Sequence, residues 1–257
     1  MVRGFALIAI VVAAIWFGFF DTAWRDRRPV ERILWLGHSF TYNHDMPDMV
    51  ARIADSAGSE VRYDIVVQAF GGASLEKHWN NARSRESLAE GNWDRVVIHP
   101  ESRLGPLEAG DDYFRHGAML FEAAGNARRV IVSTWIGSDP RPEYLSNLET
   151  NLRGLANLTG AQLIDVAQVW EDVRAQPLPF PLYRSDGHHP SLQGSYLAAL
   201  VVYAELAQAD VGNVRYAPWR MSREDAALLR DRVQRSLRRR RMAGFANSPQ
   251  RTSAPPG

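Results

Sequence analysis

Five short apolar runs, separated by stretches with helical spacing, are the feature that most limits what this chain can fold into. The runs are rich in valine, isoleucine and leucine, as strands are when helices cover both faces of their sheet. They comprise residues 33–36, 63–67, 95–99, 129–135 and 162–166. The intervening stretches place apolar residues three or four positions apart, as amphipathic helices do. They comprise residues 46–58, 86–93, 112–125, 143–160 and, after the last run, 191–208.

Strand alternating with helix predicts a parallel sheet with right-handed crossovers. The expected fold is therefore α/β, a three-layer α/β/α arrangement around a flavodoxin-like, doubly wound sheet of about five strands. The sequence shows no internal repeat and no linker within this region. We therefore expect one domain, from residue 30 to residue 241.

The first residues form a separate unit. After Arg3, the chain is apolar without interruption from Phe5 to Phe20, and no small-x-small cleavage site follows. This pattern favours an uncleaved membrane anchor or signal-anchor over residues 1–24, and disfavours a cleaved signal peptide. Four arginines at positions 25, 27, 28 and 32 follow the apolar run. Basic residues alone would place the domain in the cytoplasm.

The other end of the chain also differs from the domain. Ser222 has an acidic residue, Asp225, three positions later, which is a pattern typical of a helix start. The predicted helix runs into four arginines, residues 238–241, which we interpret as a solvated helix end. An anionic lipid surface is the alternative partner for these arginines. Residues 242–257 are rich in proline, serine and glycine and are expected to be disordered.

Composition excludes several functions. The chain of 257 residues has a net charge of +1, which gives no global field for a nucleic-acid partner. It has 0 cysteines, so it has no disulfide, no thiolate metal site and no cysteine nucleophile. The loop after the first strand, GHSFTYNHD, lacks the basic glycine-rich pattern of a phosphate-binding module.

Ligands of doubly wound sheets bind at the carboxyl ends of the strands, which directs attention to Ser39 after the first strand. One interpretation makes Ser39 the cap of the helix over residues 46–57. Asn43 or Asp45, next to Pro47, is a better placed cap. Ser39 would then be free at the strand end, and we favour a role as a nucleophile.

A base for this serine is found in the loop before the last helix, which reads Asp186-Gly187-His188-His189-Pro190. Asp186 has the spacing to hold His189 by its Nδ1 proton and leave Nε2 for the serine, with His188 as the substitute base. Pro190 is expected at the first position of the following helix. The alternatives are a capped helix start with surface histidines, and a metal site formed by the acid and the two histidines. A metal site would need a further cluster of ligands, so we predict no metal and no cofactor.

The glycine pair after the second strand supplies the third element. Glycine lets a backbone N–H approach a substrate closely, so the N–H of Gly72 and the N–H of Ser39 are candidate donors to an oxyanion.

Three blocks of the sequence together resemble the SGNH/GDSL hydrolases over roughly residues 32–207. They are GHSFT after the first strand, then GGASL, then DGHHPS before the last helix. The resemblance implies a cofactor-free serine esterase with Ser39 as nucleophile, His189 as base and Asp186 as its orienting acid. It implies the N–H groups of Ser39 and Gly72 as oxyanion donors. The stretch GGASLEKHWNN (71–81) is similar to a bacterial branch in which G-G-x-S-L-E-x-H-W recurs. His78 and Trp79 of this stretch are expected to pack under the site.

One block departs from the better-known members, which have G-x-N-D after the third strand. This chain has His99-Pro100-Glu101-Ser102. An ionised glutamate cannot donate a hydrogen bond and proline has no N–H, so His99 or Ser102 is the candidate for a third oxyanion donor.

The leading function is hydrolysis of an ester through an acyl-enzyme on Ser39. The resemblance suggests a short acyl group, such as acetyl, on a small molecule, a glycan or another polar carrier. An envelope glycan would place the domain outside the cytoplasm, against the arginine count, and we favour that side. An acyltransferase using the same serine is a close variant. A membrane-anchored binding or assembly protein without turnover is the alternative from another class, and the altered third block is its support.

Overall fold

The computed structural model describes residues 26–102, 110–138 and 142–246, and they contain the predicted parallel sheet. Its strands are β1 (Val30–Gly37), β2 (Arg62–Ala69), β3 (Arg95–Ile98), β4 (Arg128–Val132) and β5 (Gln162–Ile164). All neighbouring strands pair in parallel, in the order β2-β1-β3-β4-β5. This is the flavodoxin-like order, and it creates a crevice between the carboxyl ends of β1 and β3. The predicted fold class is confirmed.

Helices follow the strands in alternation. They are α1 (Ser39–Tyr42), α2 (Met46–Ala57), α3 (Leu75–Asn80), α4 (Ala82–Glu90), α5 (Asp111–Ala123), α6 (Pro142–Thr159), α7 (Val166–Arg174), α8 (Leu192–Leu206) and α9 (Arg223–Ala246). Two 3₁₀ turns occupy Asn43–Asp45 and Val211–Asn213. The predicted anchor, residues 1–24, and residues 247–257 of the predicted tail lie outside the described residues. Within the described ranges, no helix has both the length and the apolar character needed to cross a bilayer.

Helices α3 and α7, like the four-residue α1, are not predicted from the sequence. The run 162–166 was predicted as one strand, but β5 ends at Ile164 and Asp165 begins a helix, since its side chain accepts a hydrogen bond from Gln168 N at 3.3 Å. Helix α3 has six residues and is capped by Ser74, whose Oγ accepts from Lys77 N at 3.1 Å. It is too short for apolar periodicity to reveal.

Helices cover both faces of the sheet. Successive side chains of a strand point to opposite faces, so each strand contributes to both helical layers. Ile33 and Trp35 of β1 pack with α2, α7, α8 and α9. Leu34 and Leu36 pack with α3, α4, α5 and α6. All four side chains are fully buried. This double burial explains why the strands read as continuous apolar runs.

A column of stacked rings lies in the first of these two layers. Phe40 stacks on Trp135 with ring centroids 4.7 Å apart, and Trp135 stacks on Trp170 of α7 at 4.4 Å. Trp170 Nε1 donates to the hydroxyl of Tyr183 at 2.8 Å, and that hydroxyl donates to the carbonyl of Ile136 at 2.9 Å. The column ties the start of α1 to the end of β4, to α7 and to the segment that leads into α8.

The arginine run of α9 forms ion pairs with acidic residues of neighbouring elements. Arg238 pairs with Asp210 at 2.8 Å, Arg240 with Asp172 at 2.9 Å, and Arg241 with Glu205 at 3.2 Å. The helix starts after Ser222, whose Oγ accepts from Asp225 N at 3.0 Å, and it continues to Ala246, past the expected start of the tail. The arginine run therefore contacts the domain while remaining partly exposed to solvent.

Gly194 in α8 allows a close crossing, and replacing it should be costly. An added Cβ would overlap the carbonyl oxygen of Leu182 and would lie 2.5 Å from Cη2 of Trp170, which is fully buried. We expect Gly194→Ala to lower the free energy of unfolding by about 3 kcal/mol, because neither neighbour can move freely. The measurement is urea denaturation. Gly212→Ala is the matched control, since nothing lies within 4 Å of its added Cβ. Equal midpoints for the two variants would contradict the expectation.

Candidate active site

Ser39 lies directly beyond the carboxyl end of β1. The strand ends at Gly37, His38 is extended with φ −131 and ψ −160, and Ser39 is the first residue of α1. A Cβ on Gly37 would overlap the side chain of Thr41, so the tight turn needs glycine. Ser39 is therefore not the cap of the helix that begins at Met46.

Only one of the two expected caps of that helix lies at the capping position, and it forms no capping hydrogen bond. Asp45 occupies the capping position of α2 with a left-handed φ of 51, but its side chain makes no capping hydrogen bond. The side chain of Asn43 bonds to the preceding helix α1 and not to α2, since its Nδ2 donates to the carbonyl of Ser39 at 2.7 Å. The side chain of Asn43 thus fixes α1 and leaves α2 without a side-chain cap.

Ser39, His189 and Asp186 form a hydrogen-bonded row. Ser39 Oγ lies 3.0 Å from His189 Nε2, and His189 Nδ1 lies 2.8 Å from Asp186 Oδ2. An ionised carboxylate only accepts hydrogen bonds, so Nδ1 carries the proton and Nε2 is left to accept from the serine hydroxyl. The structure brings together residues 150 positions apart, in the arrangement needed to activate a hydroxyl.

Asp186 is held in its ionised form. Its Oδ1 accepts the backbone N–H groups of His188 and His189, both at 2.9 Å, while Oδ2 accepts from the His189 ring. The hydrogen bond from the His188 N–H, followed by those from His189, holds the pKa of Asp186 well below its usual range. The carboxylate therefore stays charged at any pH at which the domain would work.

The loop that carries these residues is shaped by backbone contacts. Gly187 has φ +65, and its carbonyl accepts from Ser138 N at 2.8 Å. Ser191 caps α8, since its Oγ accepts from Gly194 N at 3.1 Å. Pro190 pairs with Tyr183 in an isolated bridge and precedes the cap. The expectation that Pro190 takes the first helical position is wrong, because the helix begins two residues later.

The glycine pair forms a tight turn beside this row. Ala73 N donates to the carbonyl of Phe70 at 3.2 Å, and Gly72 has φ +61, a conformation that favours glycine. Gly72 lies in the wall of a cavity of about 230 Å³. The other residues lining this cavity are His38, Ser39, Glu101, Ser102, His188 and His189.

The structure places the two candidates of the third block differently. Ser102 lines the cavity, and its Oγ lies 3.1 Å from His188 Nε2. His99 is buried, with Nδ1 2.9 Å from the hydroxyl of Thr41 in α1. Ser102 thus faces the space in front of Ser39, while His99 supports α1 from within the protein.

Two residues in the cavity wall, His38 and Glu101, have no role predicted from the sequence, and His188 is predicted only as the substitute base. A sequence pattern does not tell which way a loop side chain points. His38 is only 2% exposed, and its ring lies 4.6 Å from that of His99. The expectation that His78 packs under the site agrees with its burial next to the carbonyl of Gly37, 2.9 Å from Nε2.

Buried histidines make the stability of the domain depend on pH. Burial lowers the pKa of His78 to about 4 and that of His99 to about 3, and it lowers the pKa of His38 as well. Unfolded histidines bind protons near pH 6.5, and the folded protein does not. Stability is therefore complete above that pH and is lost as the pH falls towards 4.

We expect the free energy of unfolding to fall by up to about 1.4 kcal/mol per pH unit for each of these histidines below pH 6.5. Urea denaturation between pH 7.5 and pH 4.5 measures the slope. His99→Gln should make the slope shallower by about one proton. A slope that is unchanged in this variant would show that His99 does not titrate as its burial requires.

No group of three or more histidine, aspartate or glutamate side chains that could hold a metal ion is found in the part of the chain that the structure describes. The loop side chains of Asp186 and His189 are instead directed at each other and at Ser39.

Comparison with known proteins shows the fold. No protein-family model matches the sequence, and no curated protein matches it. Solved structures do match. A DUF4886 family protein from Bacteroides uniformis is 18% identical with a TM-score of 0.66, covering 81% of this chain and 95% of its own. The esterase EstA from Pseudoalteromonas sp. is 15% identical with a TM-score of 0.54, covering 69% of this chain and 97% of its own.

A protein from Parabacteroides merdae that is assigned as a GDSL-like lipase is 14% identical, with a TM-score of 0.52. The match covers 70% of this chain and 97% of that protein. These likenesses confirm the fold that the sequence resemblance implied, which is that of GDSL-type lipolytic proteins.

Proposed function

We propose that this chain is an SGNH/GDSL-type serine hydrolase that cleaves esters. The observation that carries the proposal is the row from Ser39 Oγ through His189 to Asp186, at the carboxyl end of β1. Structures with the same fold are described as an esterase and a GDSL-like lipase, which supports the reaction class.

The proposed reaction begins with proton transfer from Ser39 to His189 Nε2. Ser39 Oγ attacks the ester carbonyl, and the N–H groups of Ser39 and Gly72 receive the oxyanion. His189 then gives its proton to the departing alcohol, which leaves an acyl-enzyme on Ser39. Water, activated by the same histidine, releases the acid and restores the serine. Asp186 remains ionised throughout and holds the imidazole in the required tautomer.

Ser102 is our candidate for a third oxyanion donor. It lines the cavity, whereas the ring of His99 is engaged with Thr41. This serine takes the place of the asparagine found in better-known members of the family.

The size of the cavity favours a small acyl group. About 230 Å³ is below the roughly 300–1,000 Å³ typical of drug-sized ligand pockets. Its wall includes histidine, serine and glutamate side chains. The proposed substrate is accordingly a short-chain ester, such as an acetyl ester, of a glycan or another polar carrier. The apolar N-terminal residues would anchor the enzyme in the membrane, with its domain on the extracytoplasmic side.

The altered third block keeps a second function open for testing. A binding or assembly protein on this fold would retain the cavity without turnover. An acyltransferase would use the same serine and differ only in its acyl acceptor.

The test uses the full-length chain in detergent. Turnover of p-nitrophenyl acetate, butyrate and octanoate is compared, and a fluorophosphonate probe is mapped by mass spectrometry. We expect turnover to be fastest with acetate and Ser39 to be the labelled residue. Absence of both turnover and labelling would favour the binding protein. Transfer of the acetyl group to an added sugar in preference to water would favour the transferase.

A further inference from the structure

Helix α3 contacts both segments that carry the proposed oxyanion donors. It begins three residues after Gly72 and packs in the layer that also contains Leu36 of β1. Two adjacent residues of this helix, Lys77 and His78, bond to one segment each. The mechanism proposed above uses neither side chain.

His78 binds the end of β1. The residue is 1% exposed, its Nε2 lies 2.9 Å from the carbonyl oxygen of Gly37, and its Nδ1 lies 2.9 Å from Ser84 Oγ. A carbonyl only accepts, so Nε2 carries the proton and Nδ1 accepts from the Ser84 hydroxyl. Gly37 is two residues before Ser39. The imidazole therefore fixes the position of the Gly37 carbonyl, which lies just before the proposed nucleophile in the chain.

Lys77 binds the glycine turn. Its Nζ donates to the carbonyl of Gly72 at 2.7 Å, and it is the only lysine of the chain. The side chain is exposed, so it contributes little to the core. A charge-assisted hydrogen bond to Gly72 restricts the turn at the residue whose N–H is the proposed donor.

We propose that Lys77 and His78 are positioning residues that set the separation between the N–H groups of Ser39 and Gly72. This inference rests on the proposed hydrolase function. Two oxyanion donors on separate segments act together only if the segments keep a fixed distance. One rigid turn of helix, bonded to both carbonyls, provides that distance. Lysine and histidine are adjacent in GGASLEKHW because neighbouring positions of the helix face the glycine turn and the end of β1.

The experiment compares substitutions at both positions. Lys77→Met removes the donor from an exposed site, and Lys77→Arg retains one. His78→Phe removes both ring nitrogens, and His78→Gln retains an amide donor for the Gly37 carbonyl. Glu76→Gln, exposed on the same helix, is the matched control. The readouts are kcat and KM for p-nitrophenyl acetate, the melting temperature, and hydrogen exchange of the segment 70–76.

We expect Lys77→Met to lower kcat about tenfold with KM within about twofold, an unchanged melting temperature and faster exchange in the segment 70–76. Lys77→Arg should restore most of the kcat. His78→Phe should lower kcat by up to about a hundredfold, and His78→Gln should recover part of it. A role in packing alone would lower the melting temperature without this split between kcat and KM.

Two outcomes overturn the inference separately from the proposed function. If the native chain turns over the ester and Lys77→Met matches Glu76→Gln in kcat and in exchange, the positioning role is wrong and the hydrolase stands. If the native chain has no turnover that depends on Ser39, the hydrolase is wrong and the positioning role is overturned with it. If hydrogen exchange of the segment 70–76 were then faster only in Lys77→Met, Lys77 would stabilise the glycine turn without any role in a reaction.

Discussion

Replacing Ser39 with alanine is expected to lower kcat/KM for p-nitrophenyl acetate by about 10⁵-fold while leaving the fold intact. The hydroxyl oxygen of Ser39 is the atom that would bond to the acyl group, and alanine has no such atom. Ser39 is half-buried at the start of α1, and its hydroxyl contacts His189 at 3.0 Å. Loss of that one hydrogen bond should change the free energy of unfolding by only about 1 kcal/mol.

The measurement pairs initial rates with thermal unfolding. Ser146→Ala, at an exposed serine on α6, is the control for removing a hydroxyl without consequence. Residual activity above one-hundredth of the native rate, in a variant free of native contamination, would mean that another group is the nucleophile. The same outcome would remove the acyl-enzyme on Ser39 from the mechanism.

Replacing Asp186 with asparagine is expected to lower kcat by about 10⁴-fold. The amide oxygen of asparagine still accepts the backbone N–H groups of His188 and His189, so the loop keeps its shape. The amide NH₂ then faces His189 Nδ1 and favours the tautomer with the proton on Nε2. That tautomer cannot accept the proton of Ser39.

The pH profile of the native chain tests the ionised state of Asp186 that this explanation requires. Hydrogen bonds hold the pKa of Asp186 well below its usual range, so the native enzyme should show no loss of activity from this carboxylate between pH 4 and pH 8. The contribution of the ionised Asp186 to stability is complete above about pH 4 and is lost only as the pH falls through its lowered pKa. A loss of less than tenfold in Asp186→Asn, with the loop unchanged, would make the acid dispensable.

The sheet could be predicted because burial on both faces leaves a direct trace in the sequence. Ile33, Leu34, Trp35 and Leu36 are all fully buried, and a short run of this kind is typical of a strand covered by helices on both faces. The Asp186–His189 contact could also be predicted, since both residues belong to one short loop. Ser39 followed from the rule that ligands bind where parallel strands end.

Apart from the pair of Ser39 and His189, which the chemistry of an activated serine implies, contacts between distant segments could not be predicted. The bond from His78 to Gly37 spans 41 positions, and that from Ser102 to His188 spans 86. Neither leaves a periodic pattern, because each depends on how two separate segments of the chain are placed relative to each other. Asp45 lies at the expected capping position without a capping hydrogen bond, and the side chain of Asn43 bonds to the carbonyl of Ser39 instead.

The column of stacked rings constrains how sequences with this fold can diverge. Trp170 on α7 reaches Phe40, the neighbour of Ser39, through the single ring of Trp135. Substitutions at these three positions are therefore not independent, and the effect of one depends on the residues at the other two. The cost of a smaller ring at position 170 would therefore depend on the residue at position 135. Substitutions in α7 would then be coupled to those at Phe40, the residue next to Ser39.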